Sequence, residues 1–191
     1  MRWHTTTALM TTLATSTAFA GFSYDEGIDG DLSGDMQYPT SLGALMVGSN
    51  TVTATSVTGD IEYASLVVPA GITLDQIILQ AYSGSFTRSF IAVQAGAEFT
   101  EPPVGTDVAN LLGWTHFGTD FGVPGIGSDL LDNLGAGAGA IGFTPPLGPG
   151  TYTFWIQETG ITPISYTLDF VATPTPATLL PLALIGFRRR R

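Results

Sequence analysis

The sequence has 191 residues, with 16 acidic and 6 basic side chains, 24 glycines and no cysteine. This length holds one domain of ordinary size, and the lack of cysteine excludes a disulfide framework and thiol chemistry. The net charge of −10 disfavours partners that carry phosphates, such as nucleic acids and anionic lipids.

Residues 1–20 have the pattern of a signal peptide. Arg2 precedes a mildly apolar stretch, which ends in the small-x-small pattern of Ala18, Phe19 and Ala20. We therefore expect cleavage after Ala20 and export of the chain. The apolar stretch is rich in threonine, so an ordinary N-terminus is the alternative interpretation.

An acidic, glycine-containing turn follows. Five carboxylates lie within eleven residues: Asp25, Glu26, Asp29, Asp31 and Asp35. Hard oxygen ligands on a flexible loop suit Ca²⁺, so these residues are candidate calcium ligands. An EF-hand register fails, because Met36 stands where the twelfth-position Glu is needed. A solvated acidic turn is the alternative. A looser acidic set lies further along the chain: Asp107, Asp120, Asp129 and Asp132.

Short runs of β-branched and aromatic residues, separated by Gly, Thr, Ser and Pro, fill the body. They predict seven strands, at 50–58, 61–68, 74–81, 88–94, 111–117, 151–157 and 164–172. No long segment has helical period. The pattern favours an all-β fold, an antiparallel β-sandwich or jelly-roll-like single domain over residues 21–172.

The last two predicted strands show the clearest alternation. In the first of them three side chains share the core face: Tyr152, Phe154 and Ile156. Trp155 takes the opposite face, and we expect it to lie beneath a loop. In 164–172 alternation buries one face and places Asp169 on the solvent side. We expect the two strands to form an antiparallel hairpin around 160–163.

The segment 118–142 is rich in glycine and contains an alternating Gly-Ala run at 135–140. It offers little to bury, so we expect a long surface loop. One helical turn is predicted at 128–134, with Ser128 as its N-cap.

Catalytic groups are sparse in the sequence. His116 is the only imidazole outside the signal peptide, and no nucleophile elbow is present, so we expect a structural or surface histidine and no catalytic site. Sixteen acids make some carboxylate pair unavoidable, but no motif singles out a pair for glycoside hydrolysis. Trp114, Tyr82 and Phe86 would stack on sugars if exposed, and core packing is the alternative for each.

The C-terminus has three parts: a Pro/Thr spacer beginning at 173, an apolar run at 177–187 and four arginines at 188–191. The eleven residues of this mostly apolar run rise only about 16 Å as a helix, short of the roughly 20 residues of a membrane span. Terminal basic residues suit retention at the cytoplasmic face of a membrane. A nucleic-acid-binding arginine cluster is the alternative.

This tail resembles the PEP-CTERM class of sorting signals, with Pro-Thr-Pro where Pro-Glu-Pro is typical. The resemblance covers the last 18 residues. It implies transient retention in the membrane and removal of the tail by an exosortase-like sorting protease. The protein would then be delivered to the cell envelope or the extracellular matrix.

The body resembles the pre-peptidase C-terminal (PPC-like) family over residues 50–172. Four motifs carry the resemblance, at 60–63, 66–71, 148–156 and 166–170. It implies a non-catalytic β-sandwich that accompanies secreted enzymes, mediates surface or substrate attachment and sometimes binds calcium.

Together these features predict a non-enzymatic, exported surface or matrix attachment module, ordered by calcium if the acidic turn binds it. Between the two end segments Arg88 is the only basic residue against all 16 acidic ones, a net charge of −15. Extracellular polysaccharide or matrix is the expected partner, and nucleic acid is not. The alternative is a carbohydrate-binding or weakly glycoside-acting extracellular module.

Overall fold

The computed structural model describes residues 21–175. This part of the chain contains nine strands: β1 (Ser23–Asp25), β2 (Thr40–Ala44), β3 (Thr51–Ser56), β4 (Ile61–Val68), β5 (Ile72–Tyr82), β6 (Arg88–Ala95), β7 (Gly113–Gly118), β8 (Gly150–Glu158) and β9 (Ile164–Pro174). Helices α1 (Glu26–Asp29) and α2 (Leu131–Gly135) and a 3₁₀ turn (Val108–Asn110) connect them. Neither described helix is long and apolar enough to cross a membrane. The predicted signal peptide (1–20) and the tail from 176 onward fall outside the described residues.

The strands form two sheets, in the orders β1-β3-β9-β5 and β2-β4-β8-β6-β7. The sheets pack face to face around one hydrophobic core, which confirms the predicted all-β sandwich. Strands β1 and β2 run parallel to their neighbours β3 and β4, whereas every other described pair is antiparallel. Each sheet is therefore antiparallel inside, with one parallel strand at an edge.

All seven predicted strands are present, each within two residues of its predicted bounds. Strands β1 and β2 were not predicted. β1 has only three residues, too few to show an alternating pattern. In β2 the pairing with β4 shifts register between Ser41 and Gly43, and Gly43 adopts a positive φ of 89°. Because this edge strand is irregular, its sequence does not show the alternation of apolar and polar residues that predicts a strand.

The predicted core faces of β8 and β9 are confirmed. Tyr152, Phe154 and Ile156 from the five-stranded sheet meet Tyr166, Leu168 and Phe170 from the four-stranded sheet in the same buried cluster. Phe154 and Phe170 pack edge to face with ring centroids 5.3 Å apart. Burial of each large side chain contributes roughly 1.5–3 kcal/mol, so this facing pair of strands anchors the sandwich.

The predicted β8–β9 hairpin is wrong. β8 pairs with β4 and β6 in one sheet, and β9 pairs with β3 and β5 in the other. The connection at 159–163 crosses from sheet to sheet. Alternation specifies which face of a strand is buried but not its neighbour, and both strands bury a face in the same core, so the pattern suited either arrangement.

The segment 118–142 is more ordered than predicted. Leu130, Leu131 and Leu134 are fully buried, and residues around Asp129 lie along β5. The predicted Ser128 cap is also wrong. Leu130 occupies the N-cap of α2 without a side-chain cap, while Asp129 Oδ1 accepts from the backbone N–H of Leu131 at 2.9 Å. The three buried leucines at this short helical turn pack the segment against the core.

The prediction that Asp169 faces solvent is also wrong, because its side chain is buried. Oδ1 accepts hydrogen bonds from Ser49 Oγ at 2.8 Å and from the Asn50 backbone N–H at 3.0 Å, and Oδ2 accepts from Gln80 Nε2 at 2.7 Å. Alternation gave the correct face of β9, the outer one, but the turn before β3 covers it at this point. The three donors, two on this turn and one on β5, are distant from Asp169 in the sequence, so the alternating pattern of β9 did not reveal them.

Candidate functional site: an aromatic cleft on the five-stranded sheet

A second hydrophobic cluster lies on the outer face of the five-stranded sheet. Its buried members are Tyr63, Ala92, Phe99, Leu111 and Trp155. Phe99 and Leu111 belong to the connection between β6 and β7, which folds over the sheet. Phe99 packs edge to face on Trp155 with centroids 5.7 Å apart. The prediction that Trp155 lies beneath a loop is confirmed, with 3% of the residue exposed.

Strand register brings two rows of side chains together beside this cluster. In one row Phe90 on β6 lies between Gln157 on β8 and His116 on β7. In the next row Ala92 lies between Trp155 and Trp114. The small side chain of Ala92 separates the two indoles, and Phe90 contacts both, with centroids 4.8 Å from Trp155 and 6.1 Å from Trp114.

These rows line an open cleft of about 250 Å³. Its lining consists of sheet residues, residues of the covering connection and one residue beyond β8: Phe90, Trp114, His116, Trp155, Gln157, Thr106, Val108, Leu111 and Thr159. The surface is mainly aromatic, with a hydroxyl, amide and imidazole fringe. A mostly apolar cleft with a few convergent polar groups is typical of a ligand site.

Internal hydrogen bonds fix the cleft's polar groups. Trp114 Nε1 donates to the carbonyl of Ala138 at 3.0 Å, and Trp155 Nε1 donates to Gln157 Oε1 at 3.1 Å. His116 Nδ1 lies 3.3 Å from the carbonyl of Ser89. Burial, and to a lesser extent the charge of Arg88, lower the pKa of His116, so the imidazole is neutral at pH 7.

The Gly-Ala run contributes to this cleft by close packing. Gly137 lies against the backbone of Trp114, where an added Cβ would come within 2.6 Å of the Trp114 carbonyl oxygen. Only glycine allows this approach. The adjacent Ala138 carbonyl then receives the Trp114 indole, so the run holds the indole in place.

The three aromatic residues predicted to stack on sugars have different positions. Trp114 lines the cleft. Tyr82 is buried in the core and hydrogen-bonds with Ser89 and Glu158. Phe86 is exposed on the connection between β5 and β6 with a positive φ of 54°. His116 is half-buried in the cleft, and within the described chain its polar contact is the Ser89 carbonyl rather than a carboxylate.

The candidate calcium ligands lie in and around α1. Four accept backbone N–H hydrogen bonds: Asp25 from Gly27 (2.9 Å), Glu26 from Leu32 (3.1 Å) and Thr55 (2.7 Å), Asp29 from Asp25 (2.8 Å) and Asp35 from Gln37 (2.9 Å). Asp31 lines a shallow groove with Asp25 and Glu26. Across residues 21–175 no group of three His, Asp or Glu side chains is placed to hold a metal ion. Calcium binding stays a prediction.

The looser acidic set is dispersed into local roles. Asp107 Oδ1 accepts from the Ala109 N–H at the 3₁₀ turn. Asp120 pairs with Arg88 at 2.7 Å. Asp129 accepts N–H bonds from Ile77 and Leu131. These carboxylates stabilise separate loops of the sandwich.

A buried acid–phenol pair was missed in the sequence. Glu62 on β4 is 1% exposed and points into the core, where it accepts a hydrogen bond from the hydroxyl of Tyr166. Its other oxygen, Oε1, has no partner among the described residues. Burial raises the pKa of Glu62 to about 9 despite the opposing Tyr166 hydrogen bond. The sequence does contain a signal for the burial of Glu62, because this residue shares a strand face with Ala64, Leu66 and Val68.

The chain matched no protein-family model, no curated protein and no solved structure in the three comparisons made. The resemblances of the body to the PPC-like family and of the tail to PEP-CTERM signals rest on the quoted motifs alone.

Proposed function

We propose that this protein is a non-enzymatic, exported β-sandwich module that attaches to the cell surface or the extracellular matrix through its aromatic cleft. The observation that carries the proposal is the cleft itself, an open aromatic surface with fixed polar groups on the outer face of the five-stranded sheet. The signal peptide and the PEP-CTERM-like tail would deliver the module, with an exosortase-like protease as the partner that removes the tail.

The path of the chain indicates which end of the sandwich a tether would hold. Gly21 lies against Ser49 and Asn50, just before β3, and the Thr175 N–H donates to the carbonyl of Gly71, just before β5. Since β3 and β5 both start at this end of the sandwich, both ends of the described chain leave from it. A tether at either end would hold the module by this side.

The polar part of the cleft lies toward the opposite end. The Glu158 N–H at the end of β8 donates to Ser56 Oγ at the end of β3, so β8 finishes where β3 finishes. Gln157 and Thr159 flank that position and line the cleft. A module tethered through its chain ends would present this opening away from the tether.

The lining favours binding over glycoside hydrolysis, the second activity considered from the sequence. That reaction uses two carboxylates on either side of the scissile bond, whereas the residues lining the described cleft are aromatic, aliphatic, hydroxyl, amide and imidazole. In this proposal calcium has an ordering role at the acidic turn and none in the cleft.

Two measurements on protein from the producing cells test the proposal. Mass spectrometry of the envelope and extracellular fractions should find a chain that begins at Gly21 and lacks the arginine run. Intact chain recovered from the cytoplasm would contradict export. Attachment of the recovered protein to cell-surface or matrix material should fall at least tenfold in Trp114→Ala, and Phe121→Ala is the matched control because Phe121 is 96% exposed outside the cleft. Equal attachment by both variants would remove the cleft from the proposal.

A further inference from the structure

We infer that the cleft takes a neutral sugar ring, a polyhydroxylated pyranose unit of a glycan chain, and discriminates against anionic ligands. This inference rests on the proposed function and deepens it by naming the ligand class. Three observations carry it: the direction of the hydrogen bonds in the cleft lining, the size and aromatic character of the cleft, and the surrounding charge.

Apart from the Gln157 amide, the side-chain hydrogen-bond donors of the cleft lining are already engaged within the protein. Both indole N–H groups, of Trp114 and Trp155, donate to the Ala138 carbonyl and the Gln157 side-chain oxygen. The hydroxyl of Thr106 donates to the Pro102 carbonyl at 2.6 Å. The hydroxyl of Thr159 donates to the carbonyl of Arg88.

The ring N–H of His116 is also engaged within the protein. A backbone carbonyl only accepts hydrogen bonds, so the Nδ1 atom facing the Ser89 oxygen carries the proton. In the neutral imidazole the other nitrogen, Nε2, is then an acceptor. The lowered pKa of His116 keeps the ring in this neutral state.

The hydrogen-bonding groups of the lining that have no partner within the described protein are therefore mostly acceptors. They are Nε2 of His116 and the lone pairs of the Thr106 and Thr159 hydroxyls, and the Gln157 amide NH₂ is the remaining side-chain donor. Hydroxyl groups satisfy acceptors and donors alike. A carboxylate, sulfate or phosphate supplies acceptors only, so it would leave the cleft's acceptors unpaired against its own oxygens, which is energetically unfavourable.

Size and aromatic character agree with a single ring. At about 250 Å³ the cleft is smaller than the roughly 300–1,000 Å³ of sites for drug-sized ligands. Trp114 and Phe90 lie nearly parallel, at 29°. Partly exposed aromatic surface of this kind packs against the C–H face of a pyranose while the ring hydroxyls reach the polar fringe.

The net negative charge of the described chain also disfavours anionic ligands. Arg88 is the only Lys or Arg among residues 21–175, and its guanidinium is held by Asp120 at 2.7 Å. The 16 acidic residues lie in the same part of the chain. A polyanionic glycan would therefore meet repulsion without a free cation to bind it.

Calorimetric titration of the purified full chain with four neutral tetrasaccharides, of glucose in α and β linkage, mannose and galactose, tests the inference. We expect saturable binding of at least one, a loss of about tenfold or more in Trp114→Ala, and no change in Phe121→Ala. A tetragalacturonate and the fully O-methylated form of the bound sugar should not bind, because the first is anionic and the second lacks donors.

Each other outcome overturns the inference. These outcomes are no binding of any neutral tetrasaccharide at millimolar concentration, equal or tighter binding of tetragalacturonate, retained binding of the methylated sugar, or binding that survives Trp114→Ala. Failure here is separable from failure of the proposed function. Surface or matrix attachment that depends on Trp114 but is not competed by neutral sugars would keep the attachment role and reject the sugar.

Discussion

Replacing Glu62 by Gln should remove a strong pH dependence of stability. Glu62 is buried in the core with one oxygen bonded to Tyr166, and burial raises its pKa from 4.5 to about 9. Between these two values the folded protein keeps the proton while the unfolded chain loses it. The free energy of unfolding therefore falls as pH rises through this window, by up to about 1.4 kcal/mol per pH unit.

The whole window corresponds to a ceiling of about 6 kcal/mol, the shift from 4.5 to about 9 multiplied by the energy per unit. From pH 6 to pH 8 the free energy of unfolding of the native protein should fall by about 3 kcal/mol relative to Glu62→Gln, because glutamine does not titrate. Taking the difference between the two proteins cancels the other titrating groups.

Urea unfolding followed by tryptophan fluorescence at pH 6, 7 and 8 gives this difference by linear extrapolation. Glu98→Gln is the matched control, since it removes a carboxylate that is exposed, and its pH profile should parallel that of the native protein. Parallel profiles for the native protein and Glu62→Gln would contradict a protonated Glu62, because the carboxyl would then be ionised in the folded core.

Three further outcomes are expected, two from packing in the sandwich and one from the acidic turn. Tyr166→Phe leaves the second oxygen of Glu62 without its donor, so it should reduce the free energy of unfolding at pH 6 by about 1–3 kcal/mol, and an unchanged urea midpoint would contradict the pair. Gly137→Ala, whose Cβ would lie 2.6 Å from the Trp114 carbonyl oxygen, should cost about 1–3 kcal/mol in thermal unfolding. Gly148→Ala has open space and serves as its control, so equal melting temperatures for the two would reject the close packing. Calcium binding at the acidic turn requires a higher Tm in calcium than in chelator, and identical melting curves would remove that prediction.

The strands were predictable from sequence because their local patterns match their environments. The period of two in β8 and β9 identified the core faces, and the apolar exception at Trp155 identified a second covered surface. Pairing partners were not predictable, because an alternating strand buries one face equally well in either sheet of a sandwich. The wrong β8–β9 hairpin has this origin, whereas Asp169 is buried because the turn before β3 covers the outer face of β9.

The cleft was only partly predictable for a related reason. Trp114 and His116 stand two residues apart in the sequence, on one face of β7, and both were singled out there. Phe90, Trp155 and Gln157 join them only through the register of β6 with β7 and β8. Long-range register is a property of the assembled sheet, so a local motif carries no information about it.

The binding role of the cleft is most directly tested by ¹⁵N NMR of the indole N–H signals as the glycan from the native surface or matrix is added. Trp114 and Trp155 are the two tryptophans of residues 21–175, and both line the cleft. We expect saturable shifts of these two signals, with the Phe121→Ala protein behaving as the native one. Unmoved indole signals under conditions where the glycan binds the protein would show that attachment uses another surface.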